Sequence, residues 1–183
     1  MSNKINMVFV IFCLILFPAG CSDAKEPASL TTGLMKGQLA PDFTLNDING
    51  KKLSLSSFKN KNAVCLVFWA TWCPYCVKEI PKLKKIHAKY SGKGVKVISV
   101  DIASNDPLKR VLAFQKQFEI PYTILYDENQ IVSRMYGVTG IPVSIVIDRK
   151  GTIQYRDYTL PENIDQFFLN YLNEKIENLG IEG

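Results

Sequence analysis

Three features of the sequence predict an α/β domain built on a mixed sheet. Two of them are near-continuous apolar runs, "AVCLVFW" at 63–69 and "GVKVISVDI" at 94–102, each followed by a helical pattern. Runs without polar alternation mark strands buried on both faces, as in parallel sheets covered by helices. The third is a pair of tight-turn dipeptides, Asn49-Gly50 and Lys150-Gly151, each flanked by apolar segments that read as antiparallel hairpins.

The elements follow in order. "PDFTLNDINGKKLSL" alternates on both sides of Asn49-Gly50 and predicts the first hairpin. "AVCLVFW" is the central strand. The helix expected from Pro74 to Tyr90 has Pro74 in its first turn, where a missing N–H costs nothing, and Ile80, Leu83 and Ile86 at helical spacing. After the second buried strand, "DPLKRVLAFQKQF" reads as a helix capped by Asp106 with Pro107 at its first position. "YTILYD", a short helical stretch, "VTGIPVSIVID" and "DRKGTIQYRDY" supply three more strands, and an amphipathic helix is expected from Glu162 to Leu179.

The 183 residues suit one domain with added material, and 47% hydrophobic residues support an ordinary core. The formal charge of +5 is spread along the chain, with no run of five like charges, so a nucleic-acid tail is not indicated. The cluster Lys78, Lys82, Lys84, Lys85 and Lys89 reads first as a solvated helix face.

"MSNKINMVFVIFCLILFPAGCS" has a basic start at Lys4, an apolar run from Met7 to Phe17 too short to span a bilayer comfortably, and small residues after it, which is an export signal. Its close, "PAGC", resembles a bacterial lipoprotein signal and would make Cys21 the lipidated N-terminus; cleavage after Ala24 is the alternative. The expected division is a signal peptide at 1–20, a flexible tether at 21–36 and the domain at 37–180, working outside the cytoplasm and anchored to a membrane by lipid.

Outside the cytoplasm a thiol pair tends to be oxidised unless something keeps it reduced. Cys13 leaves with the signal, Cys21 is committed to the anchor, and Cys65 lies within the apolar strand as a small buried hydrophobe. Cys73 and Cys76 remain as a reactive pair. A cysteine between strand and helix meets unpaired backbone N–H groups and the positive end of the helix dipole, which favour thiolate. Such cysteines have pKa values from about 7 down to about 3.5, against about 8.5 for a free thiol. Cys76, one turn deeper, is placed to resolve a mixed disulfide rather than to attack, so Cys73 is expected to be exposed and Cys76 shielded. A zinc site would need two further ligands, for which only His87 and Cys65 are at hand. A purely structural disulfide gains little from so short a loop.

"PDFTL", "VFWATWCPYCVKEIP" and "YGVTGIPVSIVIDRKGTI" resemble the exported, membrane-tethered thioredoxin-fold proteins of the TlpA/ResA type, over roughly Gly37 to Leu179. The resemblance implies a thioredoxin-like fold, a mixed central sheet flanked by helices, with an added N-terminal β-hairpin and a helix–strand insertion. It also implies a thiol:disulfide oxidoreductase, commonly a reductant in cytochrome c maturation. Its partners would be the thiols and disulfides of exported proteins and a membrane electron donor of the thiol-relay type, with no cofactor beyond the Cys73–Cys76 disulfide itself, and neither metal nor nucleic acid. Cys73 takes the nucleophile's place and Cys76 the resolving thiol's. Pro142 matches the proline that is cis in this fold, presenting the backbone of Ile141 to an extended substrate. Glu79 matches an acidic residue proposed to move protons to and from the deeper cysteine. Trp69 and Trp72 pack beside the site, and Trp72, Pro74 and Tyr75 are candidates for the substrate surface. Pro74-Tyr75 is also the glutaredoxin dipeptide, so a disulfide-forming oxidant is the alternative direction.

Two rival activities fit the residues less well. Related peroxidases place proline and threonine where this chain has Leu66 and Ala70, and copper-delivery proteins of similar fold use a cysteine spacing one longer with a distal histidine.

Overall fold

The computed structural model describes residues 31–169. The signal peptide, Cys21, Ala24 and the closing part of the last helix therefore lie outside the described residues. Within them the order is β1 (Thr44–Asp47), β2 (Lys52–Ser54), β3 (Ala63–Trp69), α1 (Pro74–Tyr90), β4 (Val95–Asp101), α2 (Leu108–Gln117), β5 (Thr123–Tyr126), α3 (Ile131–Met135), β6 (Val143–Ile147) and β7 (Ile153–Asp157). Residues 164–169 are helical.

The strands form one seven-stranded sheet in the order β2-β1-β5-β4-β3-β6-β7. β3, β4 and β5 are parallel, with Phe68 beside Val100 and Trp69 beside Asp101. The hairpins join at opposite edges, β1 antiparallel to β5 and β6 antiparallel to β3. The helix–strand insertion is α2 with β5, which widens the sheet on the side away from β6.

Every residue of β3 is buried, because helices cover one face of the sheet, and α3 with residues flanking the first hairpin (Phe43, Leu55, Phe58) covers the other. Its side chains alternate between the two cores. Ala63, Cys65, Val67 and Trp69 pack under α1, and Val64, Leu66 and Phe68 pack on the opposite side. α1 lays Cys76, Ile80, Leu83, Ile86 and Tyr90 on the sheet. Each large apolar side chain buried this way contributes about 1.5–3 kcal/mol relative to exposure, enough to hold the helix start at the end of β3. The helix runs through Pro81 without ending.

Three expectations need correction. Residues 31–36 do not behave as free tether, since Thr32 bridges to Leu39, the Gly33 N–H donates to the Leu39 carbonyl, and Leu34 packs on the second core. The domain therefore takes hold of the chain before Gly37. Asp106 does not cap α2. Pro107 is extended (φ −66°, ψ 142°), which delays the helix to Leu108 and frees the aspartate for another partner. The lysine cluster is not uniformly solvated either: Lys82 Nζ donates to the Leu160 carbonyl at 3.0 Å, Lys84 Nζ to that of Phe118 at 3.1 Å, and Lys89 Nζ to Asp165 at 2.9 Å. Long stems let these residues lie along α1 and tie it to neighbouring segments.

Candidate active site

β3 ends at Trp69, and residues 70–73 turn the chain into α1. Cys73 is the N-cap, with extended backbone (φ −89°, ψ 109°) and Pro74 in the first helical position. The Cys76 N–H points at Cys73 Sγ across 3.1 Å. One of the unpaired donors of the helix start is thus aimed at this sulfur. Cys73 and Cys76 are joined as a disulfide, their Cα atoms 5.3 Å apart.

The peptide bond between Ile141 and Pro142 is cis. It brings the Ile141 carbonyl oxygen within 3.7 Å of Cys73 Sγ, so the sulfurs and the start of β6 meet although 68 residues separate them. Cys73 is not exposed as expected. Both cysteines are only 3% exposed, because the pair is bonded and tucked under that turn. What distinguishes the two sulfurs is the hydrogen bond from the helix start, not solvent access.

The accessible part of the surface is aromatic. Trp72 is 49% exposed and Tyr75 69%, and Lys78 Nζ lies 5.4 Å from the centre of the Tyr75 ring. Pro74 is exposed between them. Trp72 is fixed by its indole N–H, which donates to the Ser104 carbonyl at 2.7 Å, whereas Trp69 is buried against Phe114. A cleft of about 300 Å³ opens beside the sulfurs, lined by Tyr75, Lys78, Glu79, Ile141, Pro142, Tyr158 and Thr159. Six of the residues singled out in the sequence (Cys73, Cys76, Glu79, Tyr75, Ile141, Pro142) therefore converge on one spot. Tyr158 and Thr159 had no sequence signal; they arrive because β7 pairs with β6.

Glu79 is partly buried, and its Oε2 has no hydrogen-bond partner among the described residues. A desolvated carboxylate oxygen without a donor is costly to bury. Cys65 is wholly buried on the sheet below; burial first, then the charge of Glu79, pushes its thiol up to about 12. It is a packing residue, as expected.

The approach to Cys73 is held by contacts the sequence did not assign to the site. Asp106 accepts from the Thr71 N–H at 2.6 Å through Oδ2 and from the Thr71 hydroxyl at 2.7 Å through Oδ1. The Ile102 N–H donates to the Trp69 carbonyl. With the Trp72–Ser104 bond, the segment 102–106 grips residues 69–72 at three points. The only trace of this in the sequence was an aspartate before a proline, which suits a helix cap equally well.

Comparison with known proteins agrees with this arrangement. A family profile described as Redoxin matches residues 35–166. The thiol-disulfide oxidoreductase ResA of Bacillus thuringiensis subsp. konkukian is 38% identical over 117 residues, 64% of this chain and 66% of that protein, so the match spans just under two thirds of the relative. ResA of Geobacillus thermodenitrificans is 30% identical over 152 residues, covering 83% of this chain and 86% of its own. Among solved structures, a proposed thiol:disulfide interchange protein DsbE from Chlorobium tepidum superposes with a TM-score of 0.68 at 33% identity, covering 76% of this chain and 99% of the other. The chain belongs to the redoxin family, and within it to the TlpA/ResA-like proteins of thioredoxin fold.

Proposed function

We propose that this protein is an extracytoplasmic thiol:disulfide oxidoreductase that reduces disulfides in other exported proteins through Cys73 and Cys76. The observation that carries the reading is the pair itself: bonded, at the start of α1, with the Cys76 N–H aimed at Cys73 Sγ and the cis turn at Pro142 against it. In the reduced protein the Cys73 thiolate attacks one sulfur of a substrate disulfide. A bond forms between Cys73 and that sulfur, and the other substrate sulfur leaves as thiolate. Cys76, deprotonated with Glu79 as the nearby proton acceptor, then attacks Cys73 Sγ and restores the intramolecular disulfide, releasing the second substrate thiol. Two electrons have passed to the substrate, and an external dithiol must return them by the same exchange in reverse.

An extended substrate segment would lie along Ile141 and Pro142, with Trp72, Pro74 and Tyr75 as its apolar floor. Relatives named ResA and DsbE support the activity class. The basic-apolar N-terminus and "PAGC" support export with Cys21 as lipid anchor, and disulfides in cytochrome c maturation are the substrate class we favour. Among the described residues no helix is long and apolar enough to cross a membrane.

The test is capture. In cells carrying Cys76→Ser, the mixed disulfide with substrate cannot resolve and should accumulate through Cys73, to be identified by mass spectrometry. Absence of any adduct that depends on Cys73 would sink the exchange reading. Direction is settled by equilibration with glutathione and dithiothreitol: exported dithiols run from about −120 mV for oxidants to about −270 mV for reductants, and a value near the oxidant end would reverse the assignment. Cys21→Ala should release the protein from membranes, and unchanged fractionation would remove the lipid anchor from the proposal.

A further inference from the structure

Behind the loop that delivers Cys73 lies a pair of buried carboxyl groups that the exchange chemistry does not use. Asp101 closes β4 opposite Trp69 of β3 and is 0% exposed; Asp106 is 1% exposed. Both are buried at the same end of the sheet, Asp101 beside Trp69 and Asp106 on Thr71 two residues further along, and both the charge of Asp106 and its hydrogen bonding act to keep Asp101 protonated. Asp106 already accepts two hydrogen bonds, from the N–H and the hydroxyl of Thr71. Asp101 Oδ1 accepts from the Ala103 N–H at 2.8 Å, while its Oδ2 is buried with no partner among the described residues.

Two unprotonated carboxylates in such a position would repel each other and leave one oxygen unsatisfied. A single proton removes both difficulties. Asp106 is the accepting member, because both of its oxygens already receive donors from Thr71. Asp101 holds the proton on Oδ2 and donates it to Asp106. We infer that Asp101 is a positioning residue for thiol exchange: its carboxylic O–H locks Asp106, Asp106 locks Thr71, and Thr71 sets the turn two residues before Cys73.

The charged and titratable groups around Asp101 are consistent with one retained proton. From the α2 side come Asp106 and Arg110, whose guanidinium is 3.7 Å from Asp106 Oδ1 but half exposed and bonded to the Asn105 carbonyl. From β5 comes Tyr126, whose hydroxyl donates to the Asp106 backbone carbonyl rather than to either carboxyl. Asp127, just beyond β5, turns its own carboxylate to the backbone and hydroxyl of Ser133. β3 offers Trp69, with nothing to titrate. Burial first, and Asp106 in addition, push the Asp101 carboxyl up to about 8, while the Ala103 N–H opposes them. Above that pH a second charge enters the pair, the lock on Thr71 weakens, and the added negative charge near the helix start disfavours the Cys73 thiolate.

This inference rests on Cys73 being the attacking sulfur, but its test does not need a protein substrate. Alkylation of the reduced full chain by iodoacetamide, followed at Cys73 by peptide mass mapping, is compared between wild type and Asp101→Asn. Asparagine can donate to Asp106 through its amide and cannot ionise. Between pH 6.5 and 9 the ratio of wild-type to variant rate should fall by roughly fivefold, the equivalent of one net hydrogen bond. A ratio independent of pH would overturn the positioning role.

A second measurement needs no Asp101 variant. In the wild-type chain labelled with ¹³C at aspartate carboxyls, one resonance should titrate far above the others, and in Asp106→Asn it should move to lower pH. If every aspartate titrates in the ordinary acid range, or if that resonance does not move, the shared proton is refuted whatever the exchange activity proves to be.

Discussion

Asp101→Asn should remove a loss of stability that the wild-type protein suffers between mildly acidic and mildly alkaline pH. In the unfolded chain the Asp101 carboxyl ionises near its ordinary value of 3.8, whereas burial and Asp106 raise it in the folded protein to about 8. Between those values the unfolded chain has lost a proton that the folded protein retains, so unfolding releases it and stability falls as pH rises. The contribution is fully present below about pH 4 and is lost as pH rises through about 8. Each pH unit inside that window is worth about 1.4 kcal/mol, so the interval from pH 5 to 8 corresponds to roughly 4 kcal/mol, or about 8–16 °C in Tm for a domain of this size. Asp165 is shifted the other way, below the usual carboxylate range, by its hydrogen bonds from Tyr90 and Lys89, so its effect falls at more acid pH and does not overlap. Urea unfolding of both proteins, disulfide intact, at pH 5, 6, 7 and 8 measures the difference directly. Wild type should lose stability relative to the variant across the series at unchanged m-value. Parallel curves would refute the reasoning, because they would mean that Asp101 carries the same charge folded and unfolded.

Cys65 should be silent to alkylation in the folded protein: with its thiol raised to about 12, the thiolate fraction at pH 8 is about one in ten thousand. Peptide mapping should find Cys65 labelled only after denaturation, and native labelling would contradict its burial. Glu79→Gln should slow resolution of the mixed disulfide by about 10²-fold, the lower range for a positioned proton acceptor, and leave the first attack by Cys73 almost unchanged. Stopped-flow rates for the two steps separate these effects, and equal slowing of both would reduce Glu79 to a packing role. Leu83→Ala, which empties a site only 3% exposed beneath α1, should cost about 2–5 kcal/mol by thermal or urea unfolding. A loss below about 1 kcal/mol would mean that the helix face is less tightly packed than its burial implies.

Much of this molecule could be read directly from the chain because the relevant rules are local. The limits of α1 at Pro74 and Tyr90 and the total burial of Ala63–Trp69 follow from apolar periodicity and the behaviour of proline, which depend on backbone geometry alone. The Cys73–Cys76 spacing at a strand-to-helix junction is likewise local, so the pair and its asymmetry toward the helix start were visible at once. Cys65 was legible as core because it lies within an unbroken apolar strand, every residue of which is buried.

The remaining features depend on which distant segments the sheet brings together. Cys73 is covered rather than exposed because β6 pairs with β3 and carries the Ile141–Pro142 turn to the sulfurs. Residues 31–36 looked like tether by composition, and the contacts of Thr32, Gly33 and Leu34 with the domain show them docked. Asp106 and Thr71 are 35 residues apart, and the order of β3, β4 and the loop after it places a carboxylate that resembles a helix cap onto the approach to Cys73. The sequence by itself determined α1, the buried strands and the Cys73–Cys76 pair, since each answers to the geometry of a few consecutive residues. The tertiary structure alone decided what surrounds those cysteines, because the proton shared by Asp101 and Asp106 and the cleft at Glu79 come from groups forced into contact by sheet packing and removed from water together.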